Sequence, residues 1–122
     1  IVTSVNEIKS GRLDVVPEKE YIQLAILKMN KGKTFLPHKH IIKKKVTDIA
    51  QESWVVFQGK VKCIFYDLDD SIIDEPILEQ GSISITLRGA HNYLILEDNT
   101  TVLEYKTGPY LGQEFDKQFI NK

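Results

Sequence analysis

The chain has 122 residues, of which 42% are hydrophobic and 27% are charged, as in an ordinary globular protein with one core. Sixteen basic residues against seventeen acidic ones leave a formal net charge of −1, without the basic surplus of nucleic-acid-binding proteins. Apolar runs of only about four or five residues are too short for a membrane span. We therefore expect a single domain over residues 1–122 that binds neither nucleic acid nor membrane.

Cys63 is the only cysteine, so the sequence has no internal disulfide and a cytoplasmic location is expected. Its strand-like context, VKCIF, favours a buried apolar residue over a reactive thiol. The first residues show no signal-peptide pattern. The chain begins at Ile1 rather than at Met, however, which leaves its natural start and its export open.

The first half of the chain predicts short strands separated by turns. Residues 1–20 are expected to form edge strands or an arm that pairs with another subunit. Residues 21–29 favour a helix by propensity, but their shortness and their neighbours predict a strand. A turn at residues 30–32 leads to a further predicted strand at residues 34–40, and the pattern lapses after that.

The second half alternates more regularly. Residues 52–66 predict two strands broken at Gly59, which suits a hairpin turn. Further strands are predicted at residues 72–78, 82–87, 91–96 and 101–106, and residues 107–122 predict a loop that ends in a short segment. About eight short strands at intervals of about ten residues predict an all-β sandwich or barrel.

The stretch KGKTFLPHKH places His38 and His40 two residues apart. On a strand they would share one face, with their Cβ atoms roughly 6 to 7 Å apart. Two protonated imidazoles repel each other, whereas a cation between them uses both lone pairs. The spacing therefore indicates half of a metal site.

The same stretch begins a longer motif. Gly32 precedes His38 by five intervening residues, Glu52 precedes Gly59 by six, and His91 follows a turn at Gly89. This pattern resembles the cupins, which implies a cupin-type double-stranded β-helix, or jelly-roll barrel, that holds one metal ion. The chain departs from the family in its eleven-residue insertion, residues 41–51.

The resemblance implies that the metal ligands are His38, His40, Glu52 and His91. Asp48 and Gln51 compete for the carboxylate position, and Glu52 is preferred for its distance to Gly59. Three imidazoles and one carboxylate suit one divalent transition metal: Fe, Mn, Ni, Co or Zn. A cupin barrel that has lost its metal is the alternative.

Several other side chains have two interpretations. Trp54 and Val56 share the strand face of Glu52 and line a cavity or belong to the core. The lysines at positions 43–45 favour a solvated loop over a lid that grips phosphate. Core positions are expected for Phe35, Leu36 and Phe57.

The run EYKTGPY places Glu104 and Lys106 on one strand face and follows them with Tyr110. It is similar to a segment of small cupins found among bacterial surface-polysaccharide and sugar-nucleotide genes. This similarity implies Tyr110 and Glu104 as catalytic candidates. A local ion pair and a packed tyrosine are the alternative.

Three functions follow from the resemblance. The first is a metal-dependent isomerase or epimerase that acts on a small carbohydrate, a sugar phosphate or a sugar nucleotide. The second is an iron-dependent dioxygenase, and the third is a module that binds a small molecule without turnover. We also expect a homodimer, because a small sandwich leaves strand edges to protect.

Overall fold

The computed structural model describes residues 1–120. Strands hold 40% of these residues and helices 6%, and the sheets are antiparallel, so the all-β prediction is confirmed. The strands are β1 (Val2–Ser4), β2 (Gly11–Asp14), β3 (Ala25–Lys28), β4 (Glu52–Gln58), β5 (Lys60–Tyr66), β6 (Ile72–Asp74), β7 (Ile77–Glu79), β8 (Ser82–Thr86), β9 (Ala90–Ile95) and β10 (Thr101–Lys106). A 3-10 turn spans Val5–Glu7, and the short helix α1 spans Gln113–Asp116.

The first sheet has the strand order β1-β8-β4-β10. Trp54 of β4 lies directly opposite Ser84 of β8 on one side and Glu104 of β10 on the other. Side chains alternate across β4, and buried residues occur on both of its faces, as Ser53 and Val56 show. The first sheet is therefore covered on both faces near β4.

The second sheet is built around β5, which pairs with β6 and β7 along one edge and with β9 along the other. Its inward side chains Val61 and Cys63 pack against Val56 of the first sheet and Leu78 of β7. Cys63 is buried, as expected, and its burial raises the pKa of the thiol to about 12. This cluster joins the two sheets.

A second apolar cluster lies on the opposite face of the first sheet. Ile83 and Ile85 of β8 pack there against Ile26 of the β2–β3 hairpin and against Ile8 and Val16. These side chains alternate with Ser84 and Thr86, which face the other way. The β2–β3 hairpin thus covers one face of β8, and the other face of β8 points toward the second sheet.

Several predicted strands occur where expected. Residues 101–106 match β10, and Gly59 turns between β4 and β5 with φ of +98°. The predicted strand at residues 72–78 is interrupted before Pro76, whose carbonyl accepts a bond from the Cys63 amide. The strand predicted at residues 21–29 shortens to β3, because the Ile22 amide bonds instead to Gln51 Oε1.

The strand predicted at residues 34–40 is wrong. Within the described chain, residues 29–51 contain no strand or helix, and nearly all of them are exposed. Pro37 offers no N–H to a sheet, and no neighbouring strand pairs with this stretch. Phe35 and Leu36 are consequently exposed rather than in the core.

Phe57 is also exposed, contrary to the core prediction. The pairing of β4 with β8 ends at Val55 and Ile83, so Phe57 lies beyond the covered part of that face. Separately, among the described residues no helix has the length and apolar character needed to cross a bilayer.

Candidate functional site

A cavity of ≈ 450 Å³ lies between the two sheets at the end where β4 begins and β10 ends. Its walls come from five strands, β4, β5, β8, β9 and β10, and the C-terminal segment around α1 closes one side. The strand residues that line it are Glu52, Trp54, Tyr66, Thr86, Ala90, His91, Asn92, Tyr93, Glu104 and Lys106. Of the two residues left open between cavity and core, Trp54 lines the cavity, whereas Val56 belongs to the core cluster between the sheets.

Glu52 and His91 form a close pair in this cavity. Glu52 Oε2 lies 3.1 Å from His91 Nε2, and both side chains are mostly buried. The Thr86 hydroxyl lies 2.6 Å from His91 Nδ1. A neutral imidazole that donates from Nε2 to Glu52 can therefore accept from Thr86 at Nδ1.

The pair changes the acidity of Glu52. The hydrogen bond with His91, and to a smaller degree one with Glu104, lower the pKa of Glu52 to about 2, against the opposing effect of partial burial. Lys106 adds a smaller contribution in the same direction. Glu52 is thus a carboxylate across the physiological pH range, placed to stabilise a positive charge on His91.

Two aromatic rings form one wall of the cavity. The rings of Trp54 and Tyr93 stack with centroids 3.7 Å apart and planes 3° from parallel. Tyr93 also places its hydroxyl 3.2 Å from Ser84 Oγ, and burial raises the pKa of the phenol. The Trp54 indole donates a 3.0 Å hydrogen bond to Glu104 Oε1, which fixes both groups.

Lys106 connects the strand framework to the C-terminal segment. Its Nζ lies 3.8 Å from Glu104 Oε2 and 3.8 Å from Asp116 Oδ2. The same ammonium group lies 4.1 Å from the centre of the Tyr110 ring, which is a cation–π distance. Glu104 therefore lines the cavity, whereas Tyr110 is an exposed residue that contacts the site through Lys106.

The four predicted metal ligands form two separate pairs. His38 and His40 have ring centroids 5.4 Å apart, and both lie exposed in the stretch before β4. Glu52 and His91 lie in the cavity, and both ring nitrogens of His91 already have hydrogen-bonding partners. Within residues 1–120, no group of three or more His, Cys, Asp or Glu side chains is arranged to hold a metal ion. As placed here, the four residues do not fit one ligand set.

Sequence reasoning missed three contributors to the site. Tyr93 and Thr86 had a usable signal, since Tyr93 shares a strand face with His91 and Thr86 lies at the end of the alternating SISIT run. Asp116 gave no local signal, because its contact with Lys106 depends on the path of the C-terminal segment.

Comparisons of the chain with protein-family models, with curated proteins and with solved structures give no match. Any functional conclusion therefore depends on the cavity and its side chains.

Proposed function

We propose that the cavity binds a small carbohydrate, a sugar phosphate or a sugar nucleotide, and that Glu52 and His91 transfer a proton on it. The observation that carries this proposal is the 3.1 Å Glu52–His91 pair, mostly buried in a cavity of ≈ 450 Å³. Such a volume is typical of small-molecule sites. A carboxylate–imidazole pair inside a cavity is a common general acid–base arrangement.

The surrounding side chains favour a polyhydroxylated ligand. The stacked Trp54 and Tyr93 rings provide an apolar wall, while Glu104 and Lys106 provide a hydrogen-bond acceptor and a donor. Lys106 is also a charge partner for a phosphate group. We further propose that the fold is the cupin-type jelly roll, which two facing antiparallel sheets with a cavity between them support.

The proposed reaction is an isomerisation or epimerisation next to a carbonyl. His91 takes a proton at Nδ1 from the carbon beside the carbonyl once the Thr86 hydroxyl turns away from that nitrogen, and the electron pair of the C–H bond moves into an enediolate. Glu52 stabilises the imidazolium that forms, as its lowered pKa favours. Return of the proton to a neighbouring carbon or to the opposite face completes the reaction, and Glu104, which lines the cavity, is the second proton-transfer group. Tyr110 would have to move from its exposed position to take that role.

A metal-dependent form of this site is the proposal that comes from the sequence motif. It would require His38 and His40 to move from their exposed positions to Glu52 and His91. The long stretch that carries them has no strand pairing to prevent such a movement. The iron-dependent dioxygenase would require the same movement of His38 and His40.

One observation favours the binding module without turnover. Both nitrogens of His91 and one oxygen of Glu52 already bond to protein groups, so the pair is satisfied before any ligand arrives. In that case Glu52 and His91 would shape the cavity and orient the hydroxyl groups of a ligand. The experiment must therefore measure binding and proton transfer separately.

The test begins with a thermal-shift screen of ketoses, sugar phosphates and sugar nucleotides, since a ligand of the native state raises the melting temperature. Ligands found in this way are then incubated in D2O, and NMR follows deuterium incorporation next to the carbonyl. We expect incorporation with the wild type and a loss of about a hundredfold in His91→Gln and Glu52→Gln. Glu79→Gln, an exposed carboxylate that pairs with Lys60, is the matched control.

A ligand that raises the melting temperature without any deuterium incorporation would contradict the isomerase and favour the binding module. Incorporation that survives in His91→Gln would remove His91 from the mechanism. Absence of any binding across the screen would contradict the carbohydrate proposal itself.

A further inference from the structure

Part of the inserted segment leaves a basic and apolar surface without a partner. Residues 41–46, which we call the basic segment, read IIKKKV and precede β4. Ile41, Ile42 and Val46 are 81%, 99% and 77% exposed. Lys43, Lys44 and Lys45 form no ion pair among the described residues. A long stretch without secondary structure in a small domain is usually functional or a linker.

A complementary surface lies on the second sheet. Residues 67–75, which we call the acidic hairpin, contain the turn after β5 and the strand β6. Their five acidic side chains are Asp67, Asp69, Asp70, Asp74 and Glu75, and they include no basic residue. Leu68, Ile72 and Ile73 are 77%, 54% and 63% exposed. The hairpin is thus acidic and apolar, the complement of the basic segment.

The hairpin also offers an open backbone edge. In the described part of the chain, β6 is the last strand on its side of the second sheet, with pairing only to β5. An exposed edge strand with apolar side chains is a template for a strand from another chain. The basic segment has the apolar and lysine content to serve as that strand, and it forms no strand pairing in its own chain.

We propose that the basic segment of one copy of this chain pairs with the β6 edge of a second copy. As a strand, the segment would place Ile41, Lys43 and Lys45 on one face and Ile42, Lys44 and Val46 on the other. Each face would then offer apolar and basic side chains to the isoleucines and carboxylates of the hairpin. Because every copy carries one segment and one hairpin, a twofold dimer makes this contact twice and closes. The contact is independent of the carbohydrate cavity.

The charge complementarity gives a specific prediction for assembly. Sedimentation velocity should detect a dimer whose dissociation constant rises about tenfold as NaCl increases from about 0.05 M to about 0.5 M. The triple variant K43E/K44E/K45E should be monomeric, because it places acids against acids. The variant D70K/D74K/E75K changes the formal charge of the hairpin from −5 to +1 and should be monomeric for the opposite reason, because it places bases against bases.

Mixing the two charge-reversed variants is the decisive step. In the mixed pair, the acidic segment of one chain meets the basic hairpin of the other, and the native segment meets the native hairpin. Both contacts are then attractive, so a heterodimer should form that neither variant forms alone. The triple variant K9E/K19E/K28E, which changes exposed lysines elsewhere by the same charge, should dimerise like the wild type.

Circular dichroism of each variant confirms that it folds before its assembly is measured. A wild type that stays monomeric at all concentrations would overturn the proposal. The basic segment would then contact either its own chain or a different partner. A dimer that survives both charge reversals would place the interface elsewhere. Failure of the mixed pair to form a heterodimer would show that the basic segment does not contact the acidic hairpin.

Discussion

Trp54 and Glu104 lie directly opposite each other on neighbouring strands, and the indole Nε1 donates a 3.0 Å hydrogen bond to the Glu104 carboxylate. This bond fixes the Glu104 carboxylate, which lines the cavity, while the face of the indole ring stacks on Tyr93. The pair thus couples the shape of the cavity to the pairing of β4 with β10.

The first prediction concerns that bond. Trp54→Phe removes the donor and retains an aromatic ring, so the free energy of unfolding should fall by about 0.5 to 1.5 kcal/mol. Glu104→Gln retains an acceptor for the indole and should cost less. Urea unfolding of the two variants and of the wild type measures the difference. A larger loss in Glu104→Gln than in Trp54→Phe would contradict the assigned role of the bond.

The second prediction concerns the stability of the folded chain at acidic pH. The pKa of Glu52 lies near 2 in the folded chain against an ordinary value of 4.5, so its ionised form favours the folded state. That contribution is complete above about pH 4.5 and is lost as the pH falls toward about 2. Glu52→Gln lacks it, so the stability difference between wild type and variant should shrink over this range. A difference that does not change with pH would show that Glu52 is not held in its ionised form.

The third prediction concerns the turn that precedes β5. A Cβ atom added at Gly59 would lie 2.8 Å from the Thr100 Cα, whereas one added at Gly32 would meet nothing within 4 Å. Both glycines have positive φ, so both alanine variants carry a backbone cost of about 1 kcal/mol. Gly59→Ala should therefore be the more destabilising by at least about 1 kcal/mol in thermal unfolding. Equal losses would mean that the β4–β5 turn relaxes away from Thr100.

The fourth prediction concerns the proposed metal site. If His38 and His40 join Glu52 and His91 on one ion, the stretch before β4 must close over the cavity. Added Zn2+ or Ni2+ should then slow tryptic cleavage at Lys39 and Lys43, and a chelator should reverse the effect. His38→Ala and His91→Ala should each remove the protection. Cleavage at the same rate with and without metal would contradict a shared site.

The sequence was informative where alternation and turn chemistry agree. The strands from Glu52 onward follow period-two patterns bounded by glycines or polar turns, and β10 matched its predicted range. The motif implied that Glu52 and His91 share a metal ion with His38 and His40. In the structure Glu52 and His91 lie together in the cavity and contact each other directly. The ion pair of Glu104 with Lys106 also followed from their spacing on one strand.

The failures occurred where a segment needs a distant partner. Residues 34–40 have strand-like composition, but a strand forms only where another edge accepts it, and local pattern does not report that edge. The contact of Asp116 with Lys106 likewise depends on a return of the chain that no short motif encodes. The sequence likewise did not predict where His38 and His40 lie relative to the cavity, because their stretch has no strand partner to position it.

Gln51 has a consequence for how this chain tolerates change. Its buried side chain bonds to the Ile22 amide and to Glu20, while its backbone bonds to Thr107 on both its amide and its carbonyl. The chain is therefore fastened at the residue immediately before Glu52, whatever path it takes beforehand. Length differences within residues 41–46 should therefore be absorbed upstream of this anchor, so that they disturb the proposed contact with the β6 edge while the cavity stays in register.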